Sequence, residues 1–547
     1  MPRFAALDLG SNALRLRIVE AASHGAASWK EIASLRAPVR LGSEVFVTGK
    51  LTPGSIGQAC AALRDFRAAM DEHKVDAYRA TATSAVREAS NAATLAERAR
   101  REAGIELEVI EGIEEARLIQ LAVSRRVALH ELRALLVDVG GGSTELTYLD
   151  RGKDVFSISL PLGTVRLLET YLRGPSAITT DRARLLSEGI DRAFAEAIPH
   201  LGNMPIDLLI GTGGNLETLC DLCPMPGGAG GCPRAVDVGA MRALLADLSR
   251  LNDDERRARY GLRPDRADTI VPAASIFLRA AEVFKVAAIA APGTGLKEGI
   301  LEEISAKYFH VWDEVQEVEG VLAACRRLGR RYQFDEKHGD LVARMAGRLF
   351  DELAPLHGLG PRDRLLLQAG ALLHDVGDFV RYDGHHKHSY YLILHGDIMG
   401  LSRDERALVA NVARYHRKSH PDVAHHNFRE LDKEGRAKVR SLAAILRIAD
   451  ALDREHLGKV EALVPQLDAQ HGRLHLALSG AEDRSLEEWT VHAKAGLLAE
   501  VFDLAVVLGE RRPASIGSPA STSAPTTTAG GEGRGGSEAE KTPLERA

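Results

Sequence analysis

The sequence is short of cysteine, of aromatic rings, of long apolar runs and of net charge. Five cysteines among 547 residues are too sparse, and odd in number, for a disulfide framework. Three of them cluster as Cys220, Cys223 and Cys232. A Cys-x-x-Cys pair with a third thiol could hold a metal, but structural zinc takes four ligands and this Gly/Pro-rich loop offers no obvious fourth. A structural role is the expectation, with a redox-sensitive or metal-binding loop as its alternative. Aromatic residues make up 5% of the chain, which argues against a stacking platform for single-stranded nucleic acid. No apolar run approaches the roughly 18 residues of a membrane helix. The opening MPRFAALDLGSN meets Asp8 before a signal-peptide core could form, so a soluble, reducing, cytoplasmic setting is expected. A net charge of −6, from 70 basic and 76 acidic residues, gives no global attraction to nucleic acid or to a membrane surface. A polyanion would have to be met by a local patch.

What is present is ordinary globular composition, 45% hydrophobic and 27% charged, in a chain long enough for three or four domains. Two segments share one plan. FAALDLGSNALRLRIVE (Phe4–Glu20) and ALLVDVGGGSTELTYLD (Ala134–Asp150) each have an apolar run, an aspartate, a turn of small residues and then alternation. That pattern predicts a β-hairpin at the edge of a larger sheet. Helical spacing over Ile56–Met70 and Thr94–Ala103 alternates with short strands over Tyr78–Ala82 and Glu106–Ile110, the signature of an α/β sheet flanked by helices. A duplicated α/β fold places its ligand in the cleft between its halves. After about residue 305, helical spacing dominates: Val318–Arg331, Lys337–Ala354, Arg362–Leu373, Arg403–His416 and Lys438–Leu452. A strand-rich piece, Lys459–Leu478, precedes a helix near Glu487–Leu504. The predicted organisation is two α/β subdomains over 1–125 and 126–305, a helical domain over 306–460, a small α+β piece over 461–511 and a disordered Ser/Thr/Gly/Pro-rich tail over 512–547.

Three glycine-rich turns carry the chemistry: Asp8-Leu9-Gly10-Ser11-Asn12, Asp138 through Gly140, Gly141, Gly142 and Ser143 to Glu145, and Ile210-Gly211-Thr212-Gly213-Gly214-Asn215. Glycine lets a backbone approach an anion and aim successive N–H groups at phosphate oxygens. Carboxylates delivered by the flanking strands could hold Mg²⁺ on a phosphate chain. The turns resemble the phosphate and adenosine loops of the actin-like ATPase (ribonuclease H-like) and sugar-kinase superfamily. The ordered set ATSAVREASN (82–91), EVIEGIEEARLI (108–119), VDVGGGSTEL (137–146), SLPLGTVRL (159–167), GTGGNLETL (211–219), RADTIVPAASIF (266–277) and GLKEGIL (295–301) narrows this. It resembles the exopolyphosphatase/guanosine pentaphosphate phosphohydrolase (Ppx–GppA) family.

That resemblance implies a duplicated actin-like module that hydrolyses a terminal phosphoanhydride. The substrate would be inorganic polyphosphate, losing orthophosphate, or pppGpp, losing its 5′ γ-phosphate to become ppGpp; a non-catalytic alarmone- or polyphosphate-binding regulator is the reading outside catalysis. It implies Glu115 as the base for the attacking water, with Glu114 the competing candidate. A first-turn position would favour the ionised form through the helix dipole. Arg87 is implied to contact the phosphate being cleaved, for which a guanidinium fork is suited. Asp138, Glu145 and Asp8 are the candidates for Mg²⁺. Ser11, Asn12, Gly140, Gly141, Gly142, Ser143, Gly213, Gly214 and Lys297 are the candidates against phosphate; Lys297 stands where relatives often have arginine, keeping the charge and losing the fork. A kinase is the rival, but the EEAR (114–117) and GGGSTEL (140–146) motifs occurring together, without a convincing adenine signature, favour the hydrolase. A homodimer is implied by the resemblance only.

In the helical half, His338, the pair His374-Asp375 and Asp450 form a His…His-Asp…Asp order that resembles the HD phosphohydrolase superfamily, whose members ligate divalent metals with these residues. Imidazole and carboxylate together suit Mn²⁺, Fe²⁺, Zn²⁺ or Mg²⁺. His385, His386, His388, His416 and His420 could extend the set to a second metal, and Arg414, Arg417 and Lys418 make a local basic surface on which a polyanion would bind by salt-sensitive contacts.

Overall fold

The computed structural model describes residues 1–25, 28–174, 177–201, 204–309 and 314–510; the tail expected over 512–547 lies outside the described residues. Fourteen strands form three sheets among the described residues. The first has the order β3-β2-β1-β4-β5, built from β1 (Arg3–Leu9), β2 (Leu14–Ala21), β3 (Trp29–Ala37), β4 (Ala77–Ala82) and β5 (Glu108–Val109). The second runs β10-β11-β9-β6-β7-β8, from β6 (Arg133–Val139), β7 (Thr144–Asp150), β8 (Lys153–Leu160), β9 (Leu208–Thr212), β10 (Ala235–Asp237) and β11 (Ala288–Ala290).

The two sheets repeat one plan, which is wider than the sequence echo. In each, an antiparallel meander (β1-β2-β3 and β6-β7-β8) continues into parallel pairing, β1 with β4 and β6 with β9. The hairpin predicted at a sheet edge is therefore internal. A third strand covers its outer side in both copies, because β2 and β7 carry buried residues that need a neighbour.

The period of two in β1 splits its side chains between two cores. Ala5, Leu7 and Leu9 enter one and Phe4 and Ala6 the other. In β6, Leu135, Val137 and Val139 face one core, whereas Ala134 and Leu136 face the opposite one. A strand buried on both faces reads as a continuous apolar run, which is what both copies show. Parity then puts Asp8 on the face of Phe4 and Ala6, and Asp138 on the face of Ala134 and Leu136. The helix Gly112–Ser124 packs on these two faces at once, with Leu118 in one core and Ile119 and Val123 in the other. Each such side chain contributes about 1.5–3 kcal/mol on full burial, so this helix is fixed between the halves.

Helices follow from residue 314, and their largest core joins Val342, Leu349, Leu367, Leu372, Val409, Leu446 and their neighbours. The third sheet, β12 (Val460–Asp468), β13 (Arg473–Gly480) and β14 (Ala505–Glu510), packs on the same core; β13 pairs antiparallel with β12 and parallel with β14. The helix expected near Glu487–Leu504 is two, Ser485–Lys494 and Gly496–Phe502. Among the described residues no helix is long and apolar enough to cross a membrane.

Candidate active site

Asp138 is the last residue but one of β6, and its register partner across the hairpin is Glu145 on β7. Glu115 comes down from the first turn of the helix Gly112–Ser124, and an oxygen of each of these three carboxylates lies within 4.8 Å of the others. Glu115 and Glu145 are buried, at 7% and 2% exposure. Thr212, at the end of β9, donates its hydroxyl to Asp138 Oδ1. Ser159 on β8 donates to Glu145 Oε1 at 2.8 Å. The second oxygens of Glu115 and Glu145 are buried without a hydrogen-bond partner.

So much buried carboxylate resists ionisation. Burial pushes Asp138 up to about 6 against the Thr212 hydrogen bond, with Asp8 adding to the rise. Burial and then Asp138 push Glu145 up to about 7, against hydrogen bonds from Ser143 and Ser159. Burial and then Glu145 drive Glu115 well above the usual carboxylate range, with Arg87 acting the other way. The ionised form expected from the helix dipole is thus outweighed here by burial and like charge. Uncompensated, hydrogen-bond-deficient carboxylate oxygens are a donor set that fits a hard divalent cation such as Mg²⁺.

Arg87 lies in the short helix Ser84–Glu88 that follows β4; it donates to the Ile110 carbonyl at 2.7 Å and stands 3.9 Å from Glu115 Oε2. Glu114 turns away: it pairs with Arg117 at 2.7 Å and with Arg79 at 3.1 Å. Asp8 stands near enough to raise Asp138, but its carboxylate is paired with Arg15 at 3.1 Å and is not part of the triad.

The glycine turns meet each other. Ser11 Oγ accepts from the Ala85 amide at 3.2 Å, and Asn12 Oδ1 accepts from Arg40 at 2.8 Å while its amide reaches the Asp265 carbonyl at 3.4 Å. The Gly140 amide closes its turn on the Ser143 carbonyl at 3.0 Å, and the Gly141 carbonyl accepts from the amides of Val165 and Arg166. At Gly141 a Cβ would fall 2.9 Å from Ser11 Cβ and 3.2 Å from the Asn12 backbone nitrogen, so the missing side chain lets the two turns approach. Gly213 precedes the helix Gly214–Leu222, whose first residue abuts the Arg266 guanidinium. Lys297 is half-buried in the first turn of Leu296–Tyr308, and among the described residues no ion pair joins it to the triad.

Sequence reasoning missed Ser159, Thr212, Arg15 and Arg266. The first two sit inside quoted motifs, where a hydroxyl beside a turn carries no distinctive signal. Arg266 opens another motif: it is buried, donates to Asn215 Oδ1 at 3.2 Å, and burial with the neighbouring Arg15 lowers it to about 10. A depression of about 570 Å³ at Glu131, Arg133, Asp150, Arg151 and Asp207 lies at the far end of the β6–β7 hairpin, where Arg133 pairs with Asp207.

Cys220, Cys223 and Cys232 are buried, and burial pushes the Cys223 thiol up to about 11. Among the described residues they join no group with metal-ligand spacing. The helical half does bring its candidates together: His338, His374 and Asp450 form one such group, and Asp375 joins two others.

Residues 18–307 match the Ppx/GppA phosphatase family, and residues 322–517 match Ppx/GppA phosphatase domain III. A guanosine-5′-triphosphate,3′-diphosphate pyrophosphatase of Vibrio campbellii is 26% identical over 421 residues, 76% of this chain and 81% of that protein. Its namesake in Vibrio vulnificus is 24% identical over 478 residues, 87% of this chain and 92% of that one. The crystal structure of an exopolyphosphatase from Cytophaga hutchinsonii superposes with a TM-score of 0.51 at 25% identity, covering 56% of this chain and 98% of that chain.

Proposed function

Since the chain belongs to the Ppx/GppA phosphatase family, we propose that it hydrolyses the terminal phosphoanhydride bond of inorganic polyphosphate and releases orthophosphate. The observation that carries this reading is the buried convergence of Glu115, Asp138 and Glu145 beside Arg87, next to two glycine turns in contact. Asp138 and Glu145 would hold Mg²⁺, which when bound supplies neutralising charge on the terminal phosphates. The turns at Ser11–Asn12 and Gly140–Ser143 would take the phosphate chain by its oxygens, and Arg87 would stabilise charge on the group being transferred. Glu115 then orients the attacking water and accepts its proton, within a site that needs positioning and charge rather than a covalent nucleophile. Arg87, 3.9 Å away, favours the carboxylate that this step requires.

A second reading, removal of the 5′ γ-phosphate of pppGpp, is favoured by the name carried by the Vibrio relatives. Both substrates present the same triphosphate end. Bare phosphates ask only for charge and N–H donors, and Phe46, the ring packed against the turns, has a face covered by Arg166 at 4.1 Å rather than free for a base. Phosphate release from long-chain polyphosphate and from pppGpp, measured side by side with Mg²⁺, separates the two. Glu115→Ala should lower turnover about 10²–10⁴-fold while polyphosphate still binds; unchanged turnover would remove Glu115 from the mechanism.

A further inference from the structure

The duplicated plan repeats one more feature. In each α/β half, the chain leaving the third strand folds back on the turn between the first two. After β3, the Gly42 amide donates to the Ser11 carbonyl at 2.9 Å. After β8, the Val165 amide donates to the Gly141 carbonyl at 2.8 Å. Each returning segment carries an arginine beside that bond, Arg40 in the first half and Arg166 in the second.

The two arginines are used in the same way. Arg40 donates its Nε–H to Asn12 Oδ1 at 2.8 Å, on the turn of its own half, and its two terminal nitrogens to Asp268 at 2.6 and 3.3 Å. Asp268 belongs to the other half, between the helices Pro264–Ala267 and Ile270–Phe284. Arg166 donates its Nε–H to the Gly142 carbonyl at 2.8 Å, again on the turn of its own half, and a terminal nitrogen to Glu88 of the first half. Glu88 closes the helix Ser84–Glu88 and follows Arg87 directly. Arg166 also lies over the ring of Phe46, on the first-half helix Gly42–Thr48, at 4.1 Å.

A guanidinium suits this task because its donors form a rigid planar fork, so fixing one edge on the turn fixes where the other edge reaches. The Gly142 carbonyl and the Ser143 amide share one planar peptide, so Arg166 also sets the direction of that N–H. The charge of each arginine is already met by a carboxylate, which suits a strut better than a phosphate contact.

We propose that Arg40 and Arg166 are reciprocal positioning residues. Each holds the phosphate turn of its own half while gripping a carboxylate of the other, which keeps the two turns, and Arg87 with them, in register across the cleft. The inference rests on reading the Glu115 site as a phosphoanhydride hydrolase. Neither arginine touches the reacting phosphate. Loss of either should therefore disturb the transition state more than ground-state binding, because misplacement is felt most where bonds are changing.

The test pairs kinetics with a measurement that needs no turnover. With the full chain, polyphosphate and Mg²⁺, Arg166→Ala should lower kcat about tenfold with KM within about twofold, and Arg166→Lys should not restore it. The double variant Arg166→Ala/Glu88→Gln should be no slower than Arg166→Ala alone, because both changes remove one link. Arg40→Ala with Asp268→Asn should behave likewise. A rise in KM at unchanged kcat would make the arginines phosphate contacts, and losses that multiply in the double variants would make each partner act alone; either result overturns the proposal. Amide hydrogen exchange of the protein without substrate reads the struts directly. Arg166→Ala should speed exchange about tenfold over residues 139–145 and 84–90 and leave the helical half unchanged. Exchange as slow as in the wild type would overturn the proposal whatever the kinetics. Should Arg166→Ala fail to fold, Glu88→Gln, nearly the same in shape, tests the same link by the same exchange. If the wild type released phosphate from neither polyphosphate nor pppGpp while exchange changed as expected, the hydrolase reading would fall and the struts would stand.

Discussion

Glu114 and Glu115 are neighbours on one helix turn, and about 100° of rotation separates their side chains. That rotation sends Glu115 into the gap beside Asp138 and Glu145, and Glu114 into a cluster with Arg79 and Arg117. The sequence left the two open because both are acidic, adjacent and in the same motif; only the placement of the partner strands distinguishes them. The geometry assigns them different consequences. Glu114→Gln should leave phosphate release within about threefold of wild type. It should lower stability by about 1–2 kcal/mol through the loss of charge-assisted hydrogen bonds, read as a shift in urea midpoint. A loss of turnover in Glu114→Gln matching that of Glu115→Ala would mean that the base had been misassigned. The same limit explains Ser159 and Thr212. A hydroxyl becomes a positioning group only when a strand from elsewhere brings a carboxylate to it, as β6 and β7 do here.

At the scale of elements, the helix that carries Glu115 is crossed at close range by the helix Leu296–Tyr308. A Cβ on Gly299 would lie 2.0 Å from the Leu118 carbonyl oxygen and 2.6 Å from its carbon, both backbone atoms that cannot rotate aside. Gly299→Ala should therefore shift the Glu115 helix, cost about 1–3 kcal/mol as overpacking does, and lower kcat with little change in KM. A purely structural effect would lower thermal stability and leave kcat of the folded fraction intact. How far the fold was legible follows the same lines. Long amphipathic segments were readable because one period persists over several turns: Ile56–Met70 lies within Pro53–Glu72, and Lys438–Leu452 covers all but the first five residues of Lys433–Ala451. Glu106–Ile110 shrank to the two-residue β5 because few residues find a partner there. The helix near Glu487–Leu504 split before β14, whose parallel pairing with β13 is a long-range contact that no local pattern announces. The Asp8 and Asp138 turns were legible because the duplication states them twice; Arg15 and Arg266 were not, since a buried arginine looks in sequence like any of the others.

At the scale of the whole molecule, charged contacts join the two α/β halves to each other and to the helical half, and their response to acid can be worked out from Glu303. Arg327 of the helical half donates to Asp154 on β8, and Arg406 stands 3.6 Å from Glu111, the residue preceding the Glu115 helix. Within the α/β module, Glu303 gathers Arg79 from β4, Arg117 from the Glu115 helix at 3.4 Å and Lys307 from its own helix at 2.9 Å. Burial alone would raise the Glu303 carboxyl, but Arg117, Arg79 and Lys307 outweigh it and hold it at about 2, against an ordinary 4.5. A carboxyl depressed on folding binds its proton more weakly in the folded state than in the unfolded one. Its stabilising contribution is therefore complete above about pH 4.5, fades as pH falls from there toward 2, and is gone below both values. At about 1.4 kcal/mol per pKa unit, the full contribution is about 3 kcal/mol. Urea unfolding of wild type and Glu303→Gln at pH 7, 4 and 2.5 tests this. The variant should be less stable at pH 7 by about that amount, and the gap should narrow as pH falls, because the wild type alone loses the contribution. A gap that stays constant from pH 7 to 2.5 would show that Glu303 supports the junction by packing rather than by charge.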